Sequence, residues 1–343
     1  MNRTEIGSLG EFGLIEHLTK NIKLINKSTI KGIGDDCAVL DYKNKLTLLS
    51  TDLLIEGVHF DLTYTPLKHL GYKAAVVNFS DLAAMNAKPQ QLLVGLALSN
   101  RFSVEAVEEI YQGIMLACKK YKVDLSGGDT TSSPSGLFIS LTVSGAAEKE
   151  DIVYRNTAKI NELICVSGDL GAAYIGLQVL EREKAVFKAN PSIQPELQGN
   201  EYILERQLKP EARTDIIDLF KEKKIKPTAM IDISDGLASD LLHICRQSGL
   251  GFNIYEEKLP IDVQTSSRAL EFNISPTTAV LNGGEDYELL FTISQNDYDK
   301  IKTLPQVTIL GHTTDKNSGY NLITPDQKQI EITAQGWDAL LKK

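Results

Sequence analysis

Apolar runs of two kinds alternate along the first half of the chain. Three of them, 46 to 55, 90 to 98 and 136 to 147, consist of β-branched and other apolar residues, have the length of strands and are bounded by turn residues. Between them, the segments 69 to 87 and 103 to 121 carry apolar residues at helical spacing. The pattern predicts a domain of mixed α-helices and β-strands.

A second block of the same kind begins near Asp151. Residues 160 to 180 and 227 to 257 each contain a strand, a turn with glycine and aspartate, and a helix, and a glycine turn leads into a strand at 281 to 293. The stretch from 181 to 207 is polar and contains two prolines, so it is predicted to be a mobile excursion from the domain.

Length and charge narrow the class of protein. A chain of 343 residues is longer than one hydrophobic core usually organises, so we expect two domains, 1–150 and 151–343. A net charge of -9 argues against nucleic acid or an anionic membrane surface as the main partner. The N-terminus lacks the apolar stretch of a signal peptide, and no run reaches membrane-spanning length, so a soluble cytoplasmic protein is expected.

Short acidic groups recur beside glycine or serine. They are GIGDDC at 32 to 37, STD at 50 to 52, SD at 80 to 81, GGDTT at 127 to 131 and DISDG at 232 to 236. We expect their carboxylates at strand ends and in turns, where gathered negative charges repel one another unless a cation lies between them. Mg²⁺ is the usual oxygen-seeking ion, so the pattern predicts a site for several metal ions and the phosphates they bridge. The seven aspartates are Asp35, Asp36, Asp52, Asp81, Asp129, Asp232 and Asp235.

A different interpretation applies to each aspartate taken alone. Aspartate next to glycine or serine often caps a helix or closes a turn without any ion. Repetition of the pattern in five separate groups favours the metal site over this interpretation.

Several common nucleotide and nucleophile motifs are absent. The chain has no P-loop and no protein-kinase signature, and Cys37 stands where a dinucleotide fingerprint needs its third glycine. The cysteines Cys37, Cys118, Cys165 and Cys245 are scattered singly, which predicts reduced, buried side chains and neither a zinc site nor disulfides. No Ser-His-Asp or activated cysteine arrangement is found, so no covalent catalytic residue is predicted.

Seven motifs in order resemble the thiamine-monophosphate kinase family. They are GEF at 10 to 12, GIGDDCAVL at 32 to 40, STDLLIEGVHF at 50 to 60, YKAAVVNFSDLAAMNAKP at 72 to 89, GGDTT at 127 to 131, IDISDGLASDL at 231 to 241 and GGEDYELLFT at 283 to 292. The similarity runs from Gly10 to GWD at 336 to 338, over nearly the whole chain.

The resemblance implies a fold and a reaction. The expected fold is the two-domain α/β (α+β) fold of aminoimidazole ribonucleotide synthetase, in which the N-terminal α/β domain, 1–150, forms a homodimer. ATP would lie in a cleft that the C-terminal α+β domain, 151–343, completes. The expected reaction transfers the γ-phosphoryl group of ATP to thiamine monophosphate, with several Mg²⁺ ions as cofactors.

The resemblance also implies roles for individual residues. The positions that match Mg²⁺ ligands are Asp36, Ser50, Thr51, Asp52, Asp81, Asp129, Asp232 and Asp235. The positions that match ATP contacts are Gly128, Asp129, Arg155 and Ser234, with Tyr111 beside the nucleotide. The positions that match the thiamine monophosphate site are His59, Glu285 and Trp337.

Three of these residues would have a simpler interpretation without the resemblance. Trp337 could anchor the chain end on the core, His59 could be a core histidine within an apolar run, and Arg155 could be a surface charge.

The chemistry of the reaction agrees with the acidic composition. ATP and a phosphate monoester repel each other, and cations between them reduce that repulsion. The acceptor phosphate has a second pKa of about 6, so it is largely ionised at pH 7 and needs no strong general base. Positioning and charge neutralisation would then suffice for direct in-line transfer.

Other functions remain as alternatives. An aminoimidazole ribonucleotide synthetase-like enzyme would share the fold. A selenophosphate synthetase would need a reactive cysteine before Gly32, and a hydrogenase maturation factor would need a terminal cysteine; neither is present. A non-catalytic divalent-cation-binding protein would show D-x-D-x-D-G spacing, which the sequence lacks.

Overall fold

Two β-sheets organise the described part of the chain. The computed structural model describes residues 29–31, 35, 38–41 and 44–334. One sheet has six strands in the order β1-β2-β3-β6-β4-β5, and the other has seven in the order β13-β12-β9-β11-β7-β10-β8. The fold is therefore the predicted α/β class with separate sheets from the first and second halves of the chain.

The first sheet is antiparallel except for the pair β4 and β5, which runs parallel. Its strands are β1 Thr29–Lys31, β2 Ala38–Asp41, β3 Leu46–Ile55, β4 Pro89–Leu98, β5 Asp124–Ser132 and β6 Leu137–Ala147. Two helices belong to this half, α1 Leu67–Ala84 and α2 Val104–Tyr121. Ser103 caps α2 by accepting a 3.3 Å hydrogen bond from the backbone N–H of Ala106.

Alternation along β6 separates the two faces of the first sheet. Leu137, Ile139, Leu141 and Val143 are buried in the core that α1 and α2 cover. The residues between them lie on the opposite face. The sheet therefore has one helix-covered face, and its functional side chains can point to either side.

Helices α1 and α2 cross at very short distance because glycines meet at the crossing. A Cβ atom at Gly71 would lie 2.0 Å from the carbonyl oxygen of Ile110, and one at Gly113 would lie 1.9 Å from that of Lys68. Only glycine leaves room for this approach.

The second sheet is antiparallel except for the pair β9 and β12, which runs parallel. Its strands are β7 Leu163–Ser167, β8 Ala229–Asp232, β9 Leu250–Tyr255, β10 Leu289–Ile293, β11 Val307–Asp315, β12 Tyr320–Ile323 and β13 Gln329–Glu331. Its helices are α3 Ala172–Ala189, α4 Glu201–Leu208, α5 Thr214–Lys223, α6 Leu237–Ser248, α7 Val263–Glu271, α8 Pro276–Asn282 and α9 Tyr298–Ile301.

Helix α1 lies between the two halves. Most of its residues face the core of the first sheet, whereas Ala83 and Ala84 pack in the same cluster as Phe220 and Phe291 of the second half. A helix that is covered on all sides carries apolar residues all round, and α1 is buried from Leu70 to Ser80 without interruption. Its polar side chains are therefore buried between the halves.

Most predicted elements are confirmed, but one strand was missed and one predicted loop is too long. The strand β5 was missed, because its sequence DLSGGDTTS has almost no apolar residues and its side chains are exposed at the sheet edge. The excursion predicted for 181 to 207 is too long at both ends, since α3 continues to Ala189 and α4 begins at Glu201. Among the described residues, no helix combines the length and the apolar character that a membrane crossing requires.

Candidate active site

The sequence predicts that the acidic groups lie at strand ends and in turns, but in the structure several of them lie elsewhere. Ser50, Thr51 and Asp52 lie in the middle of β3, Asp81 lies within α1, and Asp129 lies within the edge strand β5. The expectation holds for DISDG, since β8 ends at Asp232 and α6 begins at Leu237. Asp52, Asp81 and Asp232 therefore come together by packing of β3, α1 and β8, not at a shared row of strand ends.

Asp81 and Asp232 are each linked to a serine on the neighbouring element. Ser50 of β3 donates a hydrogen bond to Asp81 of α1. Ser80 of α1 donates to the Oδ2 atom of Asp232, at 2.6 Å and fully buried. Consecutive residues of α1 thus contact both sheets, and the helix holds the carboxylates of the two halves in one region.

Burial and mutual repulsion act on two of these carboxylates. Burial and, as the smaller cause, the nearby charge of Asp232 together raise the pKa of Asp52 to about 6. Burial also raises the pKa of Asp232, against the opposing effects of the Ser80 hydrogen bond and the positive charge of Arg155. The half-buried Asp52 and the buried Asp232 repel each other, and a cation between them would be stabilised.

Arg155 supplies positive charge to this region and is not the surface residue that its sequence context suggested. Its side chain is only 11% exposed, and its Nε atom lies 3.3 Å from the Oδ1 atom of the fully buried Asp35. Burial and the positive charges of Arg155 and Arg246 lower the pKa of His243 on α6 to about 4. His243 is therefore neutral at pH 7.

Thr51 points away from the acidic residues. Its hydroxyl donates to the carbonyl of Leu141 at 2.9 Å and lies 2.9 Å from the hydroxyl of Thr142, on the face of the first sheet opposite the helices. Ser50 and Asp52 face the helices, because they pair with the buried residues Val143 and Leu141 of β6. A metal contact from Thr51 would thus have to come from its backbone carbonyl.

Ser234 and Asp235 lie in the turn before α6, whose N-cap residue is Gly236. The carboxylate of Asp240 accepts hydrogen bonds from the backbone N–H groups of Asp235 and Gly236, at 3.3 and 3.2 Å. The carbonyl of Ser234, which is exposed, accepts a 2.8 Å hydrogen bond from the backbone of Glu285. The two acidic and glycine-rich turns of the second half are therefore joined to each other.

Three of the predicted ATP contacts line one pocket. A cavity of about 550 Å³ lies between α2 and β5 and is bounded by Tyr111 and residues 125–130, which include Gly128 and Asp129. Gly128 is required there, since a Cβ atom would lie 1.9 Å from the carbonyl oxygen of Val94 on the neighbouring strand. The absence of a side chain at Gly128 leaves the backbone open to a ligand.

Glu285 is held by donors from three different elements. Its Oε1 atom accepts from the hydroxyl of Tyr287 at 3.1 Å, and its Oε2 atom accepts from the Nε2 atom of Gln207 at 3.3 Å. The ammonium group of Lys73 on α1 forms an ion pair with the same Oε2 atom. The Glu285 side chain is 36% exposed, so a fixed carboxylate remains open to a ligand.

His59 is exposed and is not the core histidine that its neighbours in sequence suggested. It lies in the turn after β3, where its Nδ1 atom accepts a 3.0 Å hydrogen bond from the backbone of Ile55. The imidazole ring of His59 is therefore held in an exposed turn.

Three predicted or candidate residues lie outside the described residues. They are Asp36, Cys37 and Trp337. The residues that sequence reasoning missed are Lys73, Gln207 and Tyr287, which hold Glu285. Lys73 carried a signal, since a lone charge in the apolar segment YKAAVV needs a partner when buried.

The described cysteines are reduced and buried, as predicted. Cys118, Cys165 and Cys245 form no disulfide. Burial raises the pKa of Cys118 to about 11 and that of Cys245 to about 12, and it raises the pKa of Cys165 further. These thiols are protonated at neutral pH and are poor nucleophiles.

Within the residues that the structure describes, no three His, Cys, Asp or Glu side chains converge as a ready metal centre. The carboxylates occur instead as the serine-linked Asp81 and the mutually repelling pair Asp52 and Asp232. The predicted metal ligands therefore remain a prediction, supported by charge rather than by a formed coordination shell.

Comparison with known proteins defines the class first and then the family. A family model described as AIR synthase related protein, N-terminal domain, matches residues 34–147, from β2 to β6 with both intervening helices. The matched segment assigns the first half of the chain to the AIR synthase-related class.

Relatives that match nearly the full length of the chain identify its family. Thiamine-monophosphate kinase of Buchnera aphidicola subsp. Schizaphis graminum is 37% identical over 335 residues, which is 96% of this chain and 98% of that protein. The Bacillus subtilis thiamine-monophosphate kinase is 32% identical over 338 residues, covering 96% and 99%. A solved structure, AaThiL complexed with AMPPCP and TMP, is 32% identical, covers 98% of this chain and 99% of its own, and superposes with a TM-score of 0.83. This chain belongs to the thiamine-monophosphate kinase family, and it is a phosphotransferase.

Proposed function

We propose that this enzyme transfers the γ-phosphoryl group of ATP to thiamine monophosphate, giving thiamine diphosphate and ADP, by direct in-line displacement assisted by several Mg²⁺ ions. The observation that carries the proposal is the similarity over 96% of the chain to thiamine-monophosphate kinases. The similar structure that contains AMPPCP and TMP supports the same pair of substrates.

The repelling carboxylates support the proposed metal site. Asp52 and Asp232 are both destabilised as charged groups by burial and are oxygen donors of the type that Mg²⁺ prefers. Bound Mg²⁺ would neutralise phosphate charge and polarise the transferring group. The residues proposed to hold it are Asp36, Ser50, Thr51, Asp52, Asp81, Asp129, Asp232 and Asp235.

The ATP site is proposed to include the cavity between α2 and β5. Gly128 and Asp129 present an open backbone there, and Tyr111 forms the opposite wall. Arg155, with Ser234 in the turn before α6, would contact the phosphates from the second half. The cationic side chain of Arg155, which lies beside Asp35 and near Asp232, supports this assignment because a guanidinium group is a good phosphate ligand.

The acceptor is proposed to bind to His59, Glu285 and Trp337. Glu285 offers a fixed carboxylate to the cationic or amine-bearing rings of thiamine monophosphate, and His59 is exposed in the turn after β3. The phosphate of the acceptor is itself the nucleophile, and the described thiols are protonated, so no covalent enzyme intermediate is proposed.

The first prediction is the product of the wild-type reaction. We expect ATP, Mg²⁺ and thiamine monophosphate to yield thiamine diphosphate and ADP in equal amounts, measured by chromatography and mass spectrometry. Chelation of Mg²⁺ should abolish the reaction, and omission of the acceptor is the control. If ATP is consumed with formylglycinamidine ribonucleotide but not with thiamine monophosphate, the protein is instead an aminoimidazole ribonucleotide synthetase.

A homodimer through the N-terminal half is part of the proposal, as is the division into domains 1–150 and 151–343. The face of the first sheet opposite the helices supports it. Leu53 and Leu93 lie on that face, because they pair with Ser140 and Thr142 of β6, and they are 52% and 46% exposed. Exposed apolar side chains on a broad sheet face are typical of a protein interface.

The second prediction tests this interface. The wild type should sediment as a dimer, and Leu53→Glu should shift it towards the monomer, because each protomer would then bury an unpaired carboxylate in the interface. Met115→Glu is the matched control, since Met115 is 48% exposed on α2, away from the sheet face. A wild type that sediments as a monomer, or a Leu53→Glu variant that stays dimeric, would contradict the proposed interface.

A further inference from the structure

Lys73 is a buried lysine that neither the acidic motifs nor the ATP pocket explains. It lies on α1 and is only 6% exposed. Its ammonium group donates a 2.8 Å hydrogen bond to the carbonyl oxygen of Gln207 at the end of α4 and pairs with Glu285. A buried ammonium group is strongly destabilising without such partners, so Lys73 and the Glu285 carboxylate depend on each other.

The segment around Glu285 needs support, because its backbone is unusual. Glu285 and Tyr287 have φ angles of +61° and +53°, in the left-handed region that residues with a side chain rarely adopt. Two backbone hydrogen bonds, from Glu285 to Ser234 and from Tyr287 to Ile233, hold the segment against the turn before α6. The backbone thus directs the Glu285 side chain towards α1, where it forms the ion pair with Lys73.

The hydrogen-bonding capacity of the carboxylate shows which atom remains for a ligand. Each carboxylate oxygen has two lone pairs. Both pairs of Oε2 are used, by Lys73 and Gln207, whereas Oε1 accepts one hydrogen bond, from Tyr287. One acceptor position is therefore left, on the Oε1 atom of a side chain that is 36% exposed.

We propose that Lys73 is a positioning residue for the acceptor: it fixes the Glu285 carboxylate so that its Oε1 atom accepts a hydrogen bond from the exocyclic amine of the thiamine pyrimidine ring. The inference rests on the proposed function, since it gives Glu285 its partner in that site. Lys73 acts through Glu285 and does not touch the transferring phosphate. It lies on the helix that also carries Ser80 and Asp81, so the acceptor and acidic sites share one rigid support.

The test is the ratio between the KM for thiamine monophosphate and the KM for ATP in Lys73→Met. Methionine keeps most of the apolar stem and removes the charge. We expect the KM for thiamine monophosphate to rise about 10- to 100-fold, in the range for loss of a partner to a buried charged group, with the KM for ATP changed less than about twofold. Lys88→Met is the matched control, because Lys88 pairs with Asp218 at the surface, where both side chains are more than half exposed.

A second variant keeps the test decisive if Lys73→Met folds poorly. Tyr287→Phe removes only the hydroxyl that donates to Oε1 and preserves the ring, so it should raise the same KM, by a smaller factor, with normal thermal stability. Equal rises in both KM values for Lys73→Met, or an unchanged KM for thiamine monophosphate in either folded variant, would overturn the positioning role. If the wild type does not phosphorylate thiamine monophosphate, the proposed function is wrong and this inference falls with it. If the wild type does so and only the variants give unexpected KM values, the inference alone is wrong.

Discussion

Replacing Asp52 by asparagine is expected to lower kcat for thiamine monophosphate phosphorylation by about 10²- to 10⁴-fold, the effect of losing about 3 to 5 kcal/mol of transition-state stabilisation. Asp52 lies on the helix-facing side of β3 and repels Asp232 across the boundary between the halves. The variant removes a proposed metal ligand and also relieves this repulsion. We therefore expect the metal-free Asp52→Asn protein to unfold at the same temperature as the wild type or at a higher one.

Thermal unfolding provides an independent readout for the same variant. In the wild type, Mg²⁺ together with a non-hydrolysable ATP analogue should raise the melting temperature by more than the sum of the separate shifts, because metal and nucleotide stabilise each other in the folded state. Asp52→Asn should lose that excess. Asp299→Asn is the control, since the Asp299 side chain is 83% exposed and distant in sequence from the acidic motifs. Near-normal turnover of Asp52→Asn at limiting Mg²⁺ would show that Asp52 holds no metal ion.

The sequence was sufficient for elements with strong apolar periodicity. The limits of β3, β4 and β6 agree with the predicted runs to within about one residue, as does the start of α2 at its serine cap. Each of these elements buries at least one face, so the spacing of its apolar residues predicts its secondary structure. The strand β5 lies at a sheet edge with exposed side chains, so its stability comes from backbone pairing with β4, which leaves no apolar pattern.

Charged residues were harder to interpret, because their partners lie far away in sequence. The polar segment after residue 180 is helical as far as Ala189 because its charges are paired: Lys184 lies 2.8 Å from Asp61, and the Tyr64 hydroxyl donates to Glu181 at 2.8 Å. Both partners belong to the first half of the chain. The resemblance identified Glu285 as a site residue, but its three donors come from α1, α4 and the loop itself, which only the folded structure brings together.

The last prediction concerns the acceptor. Thiamine without its phosphate is expected to be phosphorylated with a kcat/KM at least about 10³-fold below that of thiamine monophosphate, a loss of about 4 kcal/mol. The phosphate of the natural acceptor is already ionised at neutral pH, with a second pKa of about 6, and its charge is attracted to the cations that the acidic site is proposed to hold. The hydroxyl of thiamine lacks this charge and must lose a proton during attack, a step for which a general base typically contributes 10² to 10⁴ in rate.

Initial rates of ADP formation with the two acceptors give the ratio, and a competition experiment separates binding from chemistry. If the rings bind at Glu285 and its neighbours, thiamine should inhibit phosphorylation of thiamine monophosphate competitively while remaining unphosphorylated. Efficient phosphorylation of thiamine would mean that a base activates an alcohol in this site. The acidic residues would then serve proton transfer as well as cation binding, and direct attack by an ionised phosphate would no longer describe the reaction.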